Sequence, residues 1–155
     1  MTWAEPSRGV ALPRERALRL IGAAEGLHCV WSGRRLDAAS LDIDHCLPWS
    51  AWPCGDLWNL MPAHRQVNQR EKRERLPADG RLRAAGGAIQ EWWQRAYLAE
   101  GDLVLPRRFR DEAGASLTGL AGEAGEPAPE AVFAALRVQR LRLRHDQQVP
   151  EWSLQ

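Results

Sequence analysis

The residues of this chain whose types could do chemistry together lie between Leu41 and Pro77, in LDIDHCLPWSAWPCGDLWNLMPAHRQVNQREKRERLP. Asp44-His45 closes a short alternating run, Asn59 stands 14 residues after His45, Asn68 nine residues further on, and Lys72 four beyond that. A histidine of near-neutral pKa can take a proton from water. A carboxylate and an amide carbonyl together make an all-oxygen pair, which suits Mg2+ or Mn2+ better than Zn2+. A lysine one helical turn after Asn68 shares its face and can present a cation to an anionic group. Singly, each residue has an ordinary reading: Asp44-His45 as a hydrogen-bonded strand end, Asn59 and Asn68 as turn or cap residues. As a set they need a strand, a loop, a second strand and a helix to bring them to one small site.

The local pattern supplies those elements. Leu41-Asp42-Ile43-Asp44-His45 alternates apolar and polar residues as a half-buried strand does. Pro48 and Pro53 mark loop, and Leu57 to Met61 is a second short apolar run containing Asn59. Pro62 stands where a helix would begin, and Ala63 to Arg75 carries helix-forming residues on a mostly polar surface. Around this centre, Pro13-Arg14-Glu15 opens a helix to about Glu25, with Leu18, Leu20, Ile21 and Ala24 as its buried candidates. His28 to Leu36 reads as a strand and turn that breaks at Ser32-Gly33. A helix is expected over Arg81 to Glu100, with Leu82, Ile89, Trp92, Trp93 and Tyr97 available to pack, although Gly86-Gly87 weakens it. Residues 101–128 are rich in Gly, Ala and Pro and read as a long surface connection. A last helix opens at Pro129-Glu130 and runs to about Arg144, with Val132, Phe133, Leu136 and Leu143 on its apolar side. The alternation of Leu141 to Arg144 also allows a strand there.

Composition narrows the class. With 155 residues, 45% hydrophobic and 26% charged, the chain can bury the core of one globular domain. No apolar run is long enough for a membrane span and the first residues lack the apolar centre of a signal peptide, so the expected location is cytoplasmic. Three cysteines, Cys29, Cys46 and Cys54, do not make a disulfide framework. Net charge is only +1, but the basic residues cluster: seven against three acidic ones from Arg65 to Arg83, and four arginines from Arg137 to Arg144. All but one of the 21 basic residues are arginine, which suits bidentate phosphate contacts and equally fits a GC-rich coding bias; either cluster alone also reads as a solvated helix face.

Asp-His, a proline three residues on, Asn-Leu at 14 residues and an Asn with a basic turn nine residues later together resemble the HNH endonucleases. The two spacings are similar to those of the HNH domain in RNA-guided CRISPR effector nucleases, which also end in Asn. The resemblance implies an α+β fold, a ββα-metal (His-Me finger) core over residues 28–77 embedded in flanking helices. It implies hydrolysis of DNA phosphodiester bonds with one divalent ion, Mg2+ or Mn2+, leaving 5′-phosphate and 3′-hydroxyl ends. His45 is then the general base, Asp44 and Asn68 hold the metal, and the Asn59 amide holds the loop that bears the histidine. Lys72 reaches the phosphate or the leaving oxygen, and Arg65, Arg70, Arg73 and Arg75 hold the nucleic-acid backbone. DNA is preferred to RNA by the weight of the family, with low sequence specificity and no membrane partner. The expected division is a nuclease domain at 1–100, the connection at 101–128, and an Arg-rich helix at 129–155 that packs on the domain.

One departure from the family pattern stands out. Many members brace the site with a zinc on two CxxC pairs; the corresponding positions here are Cys29, Ser32, His64 and Val67, so no structural Zn2+ is expected. Trp31 and Val67 are the candidates to fill that corner, and Cys46 and Cys54 are expected as buried free thiols. His64, four residues before Asn68, is either a further ligand or phosphate contact on the same helix face or a structural histidine. Trp49, Trp52 and Trp58 are expected to pack the loop and core in preference to stacking on bases. The alternative function is a catalytically silent nucleic-acid-binding or assembly module that keeps the fold. A further option is the nuclease subunit of a defence or CRISPR-related complex, awaiting a sensor partner.

Overall fold

A computed structural model describes residues 9–99, 101–120 and 125–153. The centre is an antiparallel ribbon of β1 (Leu41–His45) and β2 (Leu60–His64), in register from Leu41 opposite His64 to His45 opposite Leu60. A 3-10 turn, Leu57–Asn59, leads directly into β2, so Asn59 stands just before the strand and not inside it. Four of the five β2 residues are buried because α1 (Ala11–Ile21) and α2 (Asp79–Ala96) pack against the strand. The Trp92 indole donates to the Leu60 carbonyl at 2.9 Å.

Pro62, expected to open a helix, lies inside β2 opposite Ile43. Its carbonyl accepts from Val30 N at 3.2 Å. A strand residue's N–H and C=O leave the chain on the same side. The edge that Pro62 turns away from β1 is therefore the one where a missing N–H costs the ladder nothing. The helical turn begins only at Arg65 and becomes a π-helical turn over Val67–Lys72, closed by Arg73 N donating to Asn68 O at 2.7 Å. His64 consequently ends the strand and does not share a helix face with Asn68; its Nδ1 accepts from Gln66 N.

The first helix is shorter than its sequence predicts. It starts at Ala11 and ends at Ile21, with Gly22 as its cap, and buries Pro13 and Ala17. Leu18 is on the solvent side and Ala24, beyond the helix, is exposed, while Leu20 and Ile21 are partly buried. Between His28 and Arg35 a single antiparallel bridge replaces the expected strand, with Gly33 in the left-handed region at φ 73°.

In α2 the buried residues Leu82, Ala85, Gly86, Ile89, Trp92, Trp93 and Ala96 recur at three- and four-residue steps. The helix ends at Ala96; Glu100, the expected limit, lies outside the described residues. Its Gly pair has two different explanations. A Cβ on Gly86 would stand 2.9 Å from Phe133 Cε1, whereas one on Gly87 would meet nothing within 4 Å. Gly86 is thus the seat of the Phe133 ring, and α4 (Pro129–Gln147) docks on α2 through it. Gly86→Ala is expected to destabilise the fold by about 1–2 kcal/mol, overpacking outweighing the gain in helix propensity. Gly87→Ala should stabilise it by up to about 1 kcal/mol. Chemical denaturation of the two variants beside the wild type checks both signs.

Residues 101–128, expected as a connection, contain a third helix, α3 (Val104–Ser116), and a 3-10 turn, Thr118–Leu120. Residues 121–124 lie outside the described part. The helix buries Leu105, Phe109 and Ala113, one per turn, and the Phe109 ring stacks on Tyr97 with centroids 5.9 Å apart. A stripe that thin is masked by the surrounding Gly and Ala in a composition reading. The α4 helix continues through Leu141 to Arg144 with no strand, and buries Val132, Phe133, Leu136 and Leu143.

A second, two-residue pairing is parallel: β3 (Leu76–Pro77) with β4 (Glu151–Trp152). It draws in the arginines of α4. Arg137 pairs with Asp79, Arg144 with Glu151, Arg140 reaches Glu151 and the Pro77 carbonyl, and Arg142 donates to Thr118. This cluster is committed largely to internal contacts. Among the described residues no helix is long and apolar enough to cross a membrane.

Candidate active site

The end of β1 is clamped from three sides. The Lys72 ammonium donates to the His45 carbonyl at 2.9 Å, and Cys46 N donates to Asn59 O at 2.8 Å. The Asn59 side chain then ties the loop: its Oδ1 accepts from Leu47 N at 2.9 Å, while Nδ2 donates to the carbonyls of Leu47 and Cys54 at 3.1 and 3.0 Å. Asn59 is 0% exposed, and the amide is used for three bonds to backbone groups that burial would otherwise leave unpaired. His45 is half-buried, held edge-on to Trp49 with centroids 5.6 Å apart. Trp52 and Trp58 pack on each other, and Trp58 is fully buried.

Asp44 is 4% exposed and both its oxygens have donors: Lys72 Nζ on Oδ1 at 3.2 Å and Trp31 Nε1 on Oδ2 at 2.9 Å. Burial pushes its carboxyl above the ordinary carboxylate range, and the Lys72 charge and the two hydrogen bonds act against that push. Lys72 is 0% exposed. Its ammonium lies beneath the site, between Asp44 and the backbone of His45, and touches no open surface. Asn68, half-buried on the π-helical turn, donates from Nδ2 to Asp42 Oδ2 at 2.8 Å. Asp42 and Asp44 are two residues apart on β1, so they share a face.

A cavity of about 260 Å3 opens at the end of β1, lined by Ile43, Asp44, His45, Pro48, Asn68, Gln69, Arg73 and Glu74. It brings together Asp44, His45, Asn68 and Arg73. Asn59 and Lys72 support it from within, and His64 lies at the far end of the β1–β2 ribbon. Arg65 and Arg70 are exposed on the turn, and Arg75 is half-buried with Nε on the Lys72 carbonyl. Cys29 and Val67, two of the four positions compared with the zinc pattern, are buried, and the Cys29 sulfur accepts from Ser32 N. Among the described residues no group of three or more His, Cys, Asp and Glu side chains could hold a metal. Cys29, Cys46 and Cys54 are buried free thiols, and burial pushes Cys46 and Cys54 up to about 12, so neither is a thiolate at neutral pH.

Residues 29–78, about a third of the chain, match a family model described as HNH endonuclease. That match supports the HNH resemblance over this segment. Its bounds enclose the whole ribbon, the π-helical turn and β3, the elements that build the pocket. No curated protein and no solved structure matches the chain. The HNH family couples this architecture to nuclease chemistry, and a divalent ion is its usual cofactor.

The donor set fits such an ion. Asp44 and Asn68 line one pocket and bring a carboxylate and an amide group. Because Asn68 spends Nδ2 on Asp42, its carbonyl oxygen is the atom it can offer. Two hard oxygens suit a cation that takes the rest of its shell from water and phosphate. Two contributors have no chemical signature in the sequence. Trp31 reads there as packing, yet its indole holds Asp44; Asp42, the other polar residue of the alternating strand, orients Asn68. Only the strand alternation hinted at Asp42, and no local signal marked Trp31.

Proposed function

We propose that this chain is a metal-dependent endonuclease that hydrolyses DNA phosphodiester bonds with His45 as the general base. The observation that carries the reading is the convergence of Asp44, His45 and Asn68 on a single pocket within the HNH segment. In the proposed reaction His45 takes a proton from the attacking water, the water oxygen bonds to phosphorus, the bond to the 3′ oxygen breaks, and that oxygen takes a proton from solvent water. The ends are then 5′-phosphate and 3′-hydroxyl. A divalent ion, Mg2+ or Mn2+, held by Asp44 and Asn68, would neutralise charge on the phosphate and the leaving oxygen. The chain's own work is positional. Lys72 and Asn59 pin the backbone on both sides of His45, Trp49 holds its ring, and Arg73 presents a cation at the mouth of the pocket.

Nicking of supercoiled plasmid in Mg2+, Mn2+ or EDTA tests the proposal, which does not survive if purified wild type leaves the plasmid intact in both metals. A second reading draws on the ion pair between Lys72 and Asp44, which already compensates the carboxylate. It makes the chain a module that binds nucleic acid without cutting, and retention of plasmid without metal-dependent nicking would favour it.

Arg73 itself sits at φ 52°, ψ −139°, a conformation that side chains other than glycine rarely adopt. The strain lies on an exposed pocket residue at the end of a π-helical turn, the kind of place where such turns serve function. Arg73→Gly should therefore raise stability by about 1 kcal/mol while weakening DNA binding. Anisotropy titrations across salt should show a binding slope reduced by about 1.

A further inference from the structure

The Asp44 carboxylate is oriented by a residue that the strand and its helical turn do not contain. Trp31 lies on the turn between His28 and Arg35, 13 residues before Asp44, and its indole N–H donates to Oδ2 at 2.9 Å. The Trp31 ring is itself held. Its partner is Trp152 of β4, with centroids 5.6 Å apart and planes at 82°. Trp152 is buried, and the Arg81 guanidinium lies over its ring at 3.7 Å from the centroid. Two backbone bonds fix the strand that carries it, Leu76 N to Pro150 O and Ala78 N to Trp152 O, both at 2.9 Å. The contacts run without a break from Arg81 through Trp152 and Trp31 to Asp44.

We propose that Trp31 is a positioning residue for the ion-holding carboxylate, and that Trp152 acts through it, so that the affinity of the site depends on the C-terminal strand. The inference rests on the assignment of Asp44 to the ion. Of the two donors on Asp44, Lys72 supplies charge on a flexible stem, whereas the indole supplies direction. The plane of the ring sets the line of its N–H, and that plane is trapped between Asp44 and Trp152. A carboxylate fixed at one oxygen by a rigid donor keeps the rotamer in which it lines the pocket. Donors behind a metal-binding group commonly change affinity by about 10- to 100-fold.

Trp31→Phe keeps a ring for Trp152 to pack on and removes the N–H. Its Mn2+ dissociation constant, measured by electron paramagnetic resonance, should rise about tenfold. The Mn2+ concentration that half-activates plasmid nicking should rise with it, while the rate at saturating Mn2+ is largely kept. Trp152→Ala should shift both constants in the same direction by a smaller factor. In the wild type, the indole 1H–15N resonance missing from Trp31→Phe should move on Mg2+ titration and saturate with binding. A lowered unfolding midpoint with unchanged Mn2+ affinity and a stationary resonance would give Trp31 a structural role only and overturn the inference. Wild type that binds Mn2+ as tightly as Trp31→Phe sinks the inference alone. Wild type that neither binds Mn2+ nor cuts removes the endonuclease reading, and this inference with it.

Discussion

His45→Ala is expected to nick supercoiled plasmid about 10²- to 10⁴-fold more slowly than the wild type at the same metal concentration. The factor is the contribution of a positioned general base, and alanine leaves nothing within the pocket that could take the proton from water. Asp44 does not substitute, because in the proposed reaction its carboxylate is committed to the ion, with Lys72 beside it. Glu74 also lines the pocket, but it is an exposed carboxylate on the turn after the helical segment, and a Ser50 N–H already bonds it. DNA binding should survive the substitution, since the exposed cations Arg65, Arg70 and Arg73 are untouched. The fold should survive too: the strand end is held through the His45 carbonyl and Cys46 N–H, which alanine keeps. The measurement is the nicking rate beside an anisotropy titration and a thermal melt of the same preparation. Equal nicking by both proteins would remove His45 from the base role, whatever the wild type's metal dependence.

Lys72→Met should cost stability before anything else. The ammonium is fully buried, bonded to Asp44 at 3.2 Å and to the His45 carbonyl at 2.9 Å, and it lies 5.9 Å from the centre of the Trp31 ring. Methionine matches its length and apolar stem but leaves a buried carboxylate with the indole as its sole remaining donor. Breaking a buried pair from one side costs about 3–5 kcal/mol, because the surviving charge is uncompensated. For a chain of this length, that lowers the melting temperature by roughly 10 °C. Pairing the substitution with Asp44→Asn should recover much of the loss, since no charge is then stranded. Urea denaturation of the wild type, both single variants and the double variant measures the coupling. Strict additivity would mean that the two groups do not stabilise one another. Lys72→Arg is not a conservative test, because the larger planar guanidinium does not fit a fully closed site.

This ion pair also explains why Lys72 has a different part from the one its spacing suggests. Four residues after Asn68 on a helix, a lysine shares the face of Asn68 and would point toward substrate. The chain instead widens into a π-helical turn over Val67–Lys72, and the ammonium lies under β1. Any contribution to cutting is then made through Asp44 and the backbone of His45. Pro62 and His64 likewise stand in β2, where packing by α1 and α2 buries the strand and outweighs the helix preference of its sequence.

Local chemistry was enough to determine the centre of the protein. The alternation of Leu41 to His45 has one reading on a half-buried ribbon, and the spacings from His45 to Asn59 and Asn68 reflect a loop and a turn of defined length. Those properties belong to neighbouring residues, so the strand and the HNH resemblance were legible without a structure. Sequence also predicted the apolar side of α4, since Val132, Phe133, Leu136 and Leu143 recur at helical steps. What tertiary structure alone decided comes from contacts between residues distant in the chain. The seat of Phe133 on Gly86, the burial of Lys72 against Asp44, the diversion of the α4 arginines into internal pairs, and the line from Trp152 through Trp31 to Asp44 have no local signature. Each depends on which faces meet when the helices close over the ribbon, and on the cost of leaving a charge or an N–H unpaired once they have.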